Sequence, residues 1–216
     1  MKISSVKLQN FRSYKDEVEI KFDDFTALIG KNDAGKSTVL EALDIFFNDD
    51  GAKIINKEDI NIENKNNNNN DIIISVCFKD LPNEIIIDEN VSTTLQNEYL
   101  LNENRQLEII KKYPNAGKPK VFIRAMHPKN PNCDNLLTKT QSDLQKIIKK
   151  LKITDCNETI NSDMRKAIWQ HYKDELQIEI TDKIDASKIY EKLKAYMPTY
   201  FLFKSDRENN DKDNEV

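Results

Sequence analysis

Apolar and polar residues alternate twice near the start of the chain, at Ile3, Val6, Leu8 and again at Val18, Ile20, Phe22. Alternation over such lengths predicts two half-buried strands, an antiparallel pair joined through Gln9-Asn10-Phe11-Arg12-Ser13-Tyr14. A shorter apolar run, Phe25, Ala27, Leu28 and Ile29, ends at a glycine and predicts a buried strand. The period then changes: Leu40, Leu43, Phe46 and Phe47 recur at helical spacing. Residues 49–70 read as a surface excursion that ends in the tract Asn66–Asn70, a mobile loop with little to bury.

Strand patterns return with Ile72, Ile73, Ile74, Val76 and Phe78, then more briefly at Ile85–Ile87. Leu107, Ile109 and Ile110 predict another strand, Pro114-Asn115-Ala116-Gly117 a turn, and Val121, Ile123 and Ala125 the strand back. From about residue 136 the pattern is helical. One face carries Leu144, Ile147, Ile148 and Leu151, a second Ile160, Met164, Ile168, Tyr172 and Leu176, and a third Ile189, Leu193 and Tyr196 before Pro198. Trp169 and Tyr172 fall near the apolar face and read as core. Tyr200–Phe203 predicts a buried strand returning to the sheet, followed by a polar tail. The expected organisation is α/β: a β-rich lobe over residues 1–127, a helical insertion over 128–197, and a returning strand with tail over 198–216.

A chain of 216 residues can bury one sizeable core. Lys+Arg 33 against Asp+Glu 37 leaves a net charge of −4, so a basic surface for nucleic acid can only be local. Mean hydropathy is −0.70, and no run approaches the roughly 20 apolar residues of a membrane span. The opening MKISSVKLQNF is not a signal peptide, and a cytoplasmic location is expected. Cys77, Cys133 and Cys156 form no C-x-x-C, and His127 and His171 have no ligand-like spacing, so neither a disulfide framework nor a zinc site is expected.

Only four glycines occur, and two of them bracket Gly30-Lys31-Asn32-Asp33-Ala34-Gly35-Lys36-Ser37-Thr38. This is G-x-x-x-x-G-K-[ST] between a predicted strand and a predicted helix, the setting in which the motif cradles a polyphosphate. Gly30 and Gly35 let successive amides turn inward as an anion nest, and the helix start adds unpaired N–H groups and the positive end of its dipole. Lys36 brings an ammonium to the β- and γ-phosphates, Ser37 a hydroxyl to Mg2+, and Thr38 a donor to the α-phosphate. The competing interpretation is a plain glycine turn between strand and helix.

The stretch KLQNFRSYKDEVEIKF…ALIGKNDAGKSTVLEALDIFF resembles the start of RecF/SMC-type ATPase heads of the ABC superfamily, and within them most resembles the OLD (overcoming lysogenization defect) family of ATP-dependent endonucleases. Asn10-Phe11-Arg12 and Asn32-Asp33-Ala34 carry the likeness, and YMPTYFLFKSDRENNDKDNEV at 196–216 is similar to a Pro…LF-x-SDR…D segment of the same family. The resemblance implies ATP and Mg2+ as ligands, with Arg12 reaching the triphosphate and Asn32 near its γ-phosphate. Arg12 as a solvated turn residue and Asn32 as turn chemistry are the alternatives. Asp33 stands where ABC ATPases commonly have glycine. A carboxylate ~6–8 Å from a triphosphate would repel it by roughly 1–3 kcal/mol, so Asp33 is expected to face outward. Ser205-Asp206-Arg207 is expected to reach the site from a strand end.

The resemblance further implies heads that pair as a homodimer or larger assembly, a second lobe and TOPRIM nuclease in cis or in trans, DNA as substrate, and a role in phage defence. Lys146, Lys149, Lys150 and Lys152 give the first insertion helix a basic side, either merely solvated or facing a DNA backbone. No Walker B strand, Ser-Gly-Gly signature or TOPRIM acidic cluster is found, and Ile178-Glu179-Ile180-Thr181-Asp182 lacks the long apolar run before it. The expectation is the first half of an ATPase head with weak or absent hydrolysis alone. A non-hydrolytic ATP-gated subunit of a partner nuclease and a small metabolite kinase remain as alternatives.

Overall fold

The alternation at the N-terminus is converted directly into sheet. In a computed structural model, which describes residues 1–31, 35–48, 54–88, 91–184 and 188–203, β1 (Lys2–Gln9) pairs antiparallel with β2 (Val18–Lys21), Ser5 opposite Lys21 and Leu8 opposite Val18. On its other side β1 meets β3 (Ile72–Lys79), Val6 opposite Val76. The sheet continues through β6 (Leu107–Tyr113) and β7 (Lys120–Pro128) to β8 (Ile178–Ile184), every neighbouring pair antiparallel, in the order β2-β1-β3-β6-β7-β8. A separate hairpin joins β4 (Ile85–Asp88) to β5 (Val91–Thr93).

Period two gives the sheet one apolar face, and α1 (Lys36–Phe47) covers it. Val39, Ala42, Leu43 and Phe46 from the helix pack with Val6, Leu8, Ile74, Val76, Phe78 and Ile109 from the strands. Each of the larger of these side chains contributes about 1.5–3 kcal/mol through burial, which holds α1 against the sheet. Lys111 is buried on this same face, with its ammonium donating to the Phe46 carbonyl at 2.7 Å and lying 5.1 Å from the ring centroids of both Phe46 and Tyr190. Tyr190 belongs to α5 (Lys188–Lys194).

A second, smaller core forms where α3 (Gln141–Leu151) meets α4 (Asn161–His171), and contains Leu144, Ile148, Met164, Ile168 and Trp169. It joins the sheet at an aromatic seam. The Trp169 ring lies edge-on to Tyr99 at 5.0 Å and to His127 of β7 at 6.2 Å. Arg165 of α4 is buried and donates to Glu98 at 2.7 Å and to Asp88 at 2.6 Å, so one guanidinium ties the helices to the β4–β5 hairpin.

Four expectations are corrected. Phe25–Ile29 is not a buried strand: Phe25 is 87% and Ile29 93% exposed, and the segment is irregular. A strand needs a neighbour for its backbone groups, and among the described residues the sheet ends at β2 while α1 already covers its apolar face. Tyr200–Phe203 is likewise no strand. Tyr200 stacks on Phe47 at 5.8 Å and donates to the Leu40 carbonyl at 2.9 Å, leaving Phe201 72% and Phe203 91% exposed. Conversely, Ile178–Ile184 forms the edge strand β8, placing a strand inside the stretch expected to be helical, because its alternating residues find β7 as a partner. The excursion over 49–70 also holds more than surface: Ile55 and Ile60 are buried, and α2 (Ile62–Asn66) is capped by Asn61.

Candidate nucleotide-binding site

Gly35 caps α1 in a left-handed conformation, φ 82°. A Cβ there would lie 2.9 Å from Ser13 Oγ and 3.1 Å from the Tyr14 ring, so both the backbone angle and the space require glycine. The Gly35 carbonyl accepts from the Val39 N–H at 3.2 Å and from the Tyr14 hydroxyl at 3.3 Å. Gly35 has no side chain to cap the amides that open the helix, and no acid stands in the first turn of α1. Those amides keep the character of an anion site.

Lys36 occupies the first helical position, and its ammonium donates to the carbonyls of Gly30 at 2.7 Å and Lys31 at 2.5 Å in an exposed setting. It spans the mouth of the loop instead of entering the core, and a phosphate can replace these two neutral acceptors with a charged one. Ser37 is exposed at the same helix start and Thr38 is buried behind it. The exposed Ser37 hydroxyl and uncapped amides fit a magnesium–nucleotide complex, which needs one protein oxygen and otherwise keeps waters and phosphate oxygens. Asn32, Asp33 and Ala34 lie outside the described residues, as does Ser205-Asp206-Arg207, so the expectations placed on them concern positions not described here.

Arg12 is half-buried and already paired with two carboxylates. Its backbone is left-handed, φ 51°, and its N–H donates to the Asp59 carbonyl at 2.7 Å. Its guanidinium bonds Asp59 Oδ1 at 2.8 Å and Glu41 Oε2, on α1, at 2.6 Å. Burial alone would weaken the charge, but the two carboxylates outweigh it and hold the group still more firmly protonated. Asn61 donates to the Arg12 carbonyl at 2.7 Å, and Asn10, itself at φ 56°, donates to the carbonyls of Asn69 and Asp71 at 2.9 and 3.0 Å. Asn10-Phe11-Arg12 is therefore first an architectural knot that fastens the β1–β2 connection to residues 59–71. Tyr14, Glu41, Asp59 and Asn61 carry no motif signal. Only their convergence on Gly35 and Arg12 reveals them.

Among the described residues the other arginines are committed elsewhere: Arg124 to Asp182 at 2.6 Å, Arg165 to Glu98, Arg105 to Gln96 at 2.8 Å. On the open face of the sheet Glu108 is nearly enclosed. Burial would raise its pKa, yet hydrogen bonds from Lys7 and Asn102 prevail and hold it below the usual carboxylate range. Lys146, Lys149, Lys150 and Lys152 are exposed along and just beyond α3. Among the described residues no cluster of three or more His, Cys, Asp or Glu could hold a metal, and the three cysteines are free. No described helix is long and apolar enough to cross a membrane.

An antiparallel sheet, a glycine-capped helix packed on it and a surface lysine at the helix start define the class: a P-loop nucleotide-binding domain of mixed α/β fold. The family model described as AAA ATPase domain matches residues 1–216, and the chain belongs to that family. No curated protein matches it. Solved structures similar to it include one described under "Structural biochemistry of ATP-driven dimerization and DNA stimulated activation of SMC ATPases", at 16% identity and TM-score 0.40 over 72% of this chain and 82% of that one. The SMC head domain from Thermotoga maritima follows at 14% and 0.35, over 69% and 51% of the two chains. An SmcHead bound to the C-winged helix domain of ScpA stands at 15% and 0.38, over 80% and 56%. The chain thus spans about half the length of the latter two.

Proposed function

We propose that residues 30–38 bind Mg·ATP and that the chain is the nucleotide-binding first lobe of an OLD-like, RecF/SMC-type ABC ATPase head whose complete form couples ATP state to DNA cleavage in phage defence. The observation that carries the nucleotide reading is the arrangement at Lys36: a surface ammonium resting on two loop carbonyls in front of a helix start with no side-chain cap. Lys36 orients the β- and γ-phosphates, Ser37 offers its hydroxyl to Mg2+, Thr38 and the first-turn amides hold the α- and β-phosphates, and Gly30 and Gly35 bracket the loop. Arg12 reaches the phosphates only by leaving Glu41, its partner on α1, while Asp59 keeps its Nε end anchored. Bound Mg2+ supplies charge neutralisation to the phosphates.

Two exposed apolar segments flank α1, Phe25–Ile29 and Phe201–Phe203, and both have strand-like sequences. They support assembly with a second lobe or a second head, since such segments are stabilised when added strands take their backbone groups. The exposed lysines of α3 support an approach to DNA phosphates.

Equilibrium binding of Mg·ATP to the wild-type chain and to Lys36→Ala tests the first claim. Expected is micromolar-range binding lost in the variant with little change in unfolding midpoint, and a wild type that does not bind refutes the reading. Supercoiled-plasmid cleavage by the assembled system tests the second. ATP-dependent nicking abolished by Lys36→Ala supports a nuclease, whereas ATP binding without cleavage favours a regulatory ATP-gated subunit.

A further inference from the structure

We propose that Tyr14 is a positioning residue for the phosphate loop, its hydroxyl aiming the first amide of α1 by holding the Gly35 carbonyl. This rests on the reading of residues 30–38 as a nucleotide cradle. In a planar trans peptide the C=O of one residue and the N–H of the next point in opposite directions. Pinning the Gly35 oxygen therefore sets the direction of the Lys36 N–H, one of the amides with no partner inside the helix. The pin is the Tyr14 hydroxyl at 3.3 Å.

The helix already holds the Gly35 oxygen through the Val39 N–H at 3.2 Å, and the Tyr14 hydroxyl adds a second restraint, from outside the helix, on a glycine whose φ of 82° leaves it wide freedom. The Tyr14 side chain crowds the same place: its ring Cε2 and its hydroxyl oxygen each stand 3.1 Å from where a Cβ on Gly35 would be. The restraint is itself well anchored. Tyr14 and Phe11 exchange two backbone hydrogen bonds at 2.9 Å, Phe11 is fully buried, and Arg12 between them is fastened to Asp59 through both backbone and side chain. Burial also raises the Tyr14 pKa, keeping the phenol a donor near neutral pH. The β1–β2 connection thus acts on the cradle from outside, touching its backbone and not the ligand.

Tyr14→Phe removes the donor and keeps the ring. Mg·ATP and inorganic pyrophosphate affinities are measured alongside the urea unfolding midpoint of the nucleotide-free protein. Affinity for both ligands is expected to fall roughly 3–10-fold, the worth of one hydrogen bond, at an unchanged midpoint. Unchanged affinity overturns the inference, and so does a loss that merely follows a lowered midpoint. If wild type and Lys36→Ala both fail to bind, the cradle reading itself is lost. If only Lys36→Ala fails while Tyr14→Phe binds like wild type, the cradle stands and the role of Tyr14 does not.

Discussion

Arg165 and Lys36 are both cations held by oxygen atoms, and they show what separates a structural charge from one available to a ligand. Arg165 is 1% exposed, and its partners are the carboxylates of Asp88, at the end of β4, and of Glu98, in the turn beyond β5. Removing it from water is offset only because those carboxylates are in place, so the group cannot exchange partners without disrupting the seam. Lys36 is only partly buried and rests, at the surface, on uncharged carbonyls of its own loop. Those bonds trade readily for water or for an anion, at little loss to the fold. Arg12 lies between the extremes, half-buried, with two carboxylates, one of them on the helix that opens the phosphate loop.

The sharpest way to break this contrast is Arg165→Leu. It strands Glu98 in the interior without its counter-charge, and a loss of about 3–5 kcal/mol in urea unfolding is expected. A loss no larger than that of an exposed substitution would show that the seam does not depend on the pair. His127 sharpens the same comparison through pH. It lies in that seam, its Nδ1 at 2.9 Å from the Tyr99 carbonyl and its buried Nε2 without a partner. Burial, first of all, with nearby Lys183 opposing and Asp134 and Tyr99 partly favouring the charge, lowers its pKa from 6.5 to about 4. The unfolded chain therefore takes up the proton first. Stability is complete above pH 6.5 and falls as pH drops from 6.5 to 4, by an amount on the order of 2–3 kcal/mol. His127→Gln should flatten that slope by close to one proton between pH 7 and 4.5, whereas an unaltered slope would assign the acid loss to other groups.

At the other site the smallest effect is expected from Gly35→Ala. The left-handed angle costs about 1–2 kcal/mol for a residue with a Cβ, and contact with Ser13 and Tyr14 adds to it. Thermal unfolding reads the stability term, and Mg·ATP binding should weaken well beyond it if the cap geometry shapes the cradle.

Much of the sheet was legible because period two is a local signal. Ile72–Phe78, Leu107–Ile110 and Val121–Ala125 became β3, β6 and β7 with the turn at Pro114–Gly117 between the last two. The helix after the phosphate loop was legible for the same reason, and Trp169 proved to be core. What failed depended on neighbours. Phe25–Ile29 and Tyr200–Phe203 have the composition of strands but no strand beside them among the described residues, while the weaker pattern at Ile178–Ile184 found the open edge of β7. Arg12 was legible as important, yet its bonds to Asp59 and Glu41 join residues far apart in the chain, and spacing carries no information about such pairs.

By itself the chain of residues determined the motif on which the proposed phosphate site rests: two glycines, a lysine and two hydroxyls at fixed intervals, a pattern that is local because an anion nest is built from consecutive backbone amides. Tertiary structure alone decided how that loop is held. Tyr14 over Gly35, Glu41 and Asp59 around Arg12, and Arg165 between Glu98 and Asp88 are all contacts between segments that only packing brings together, and packing is set by the whole core at once.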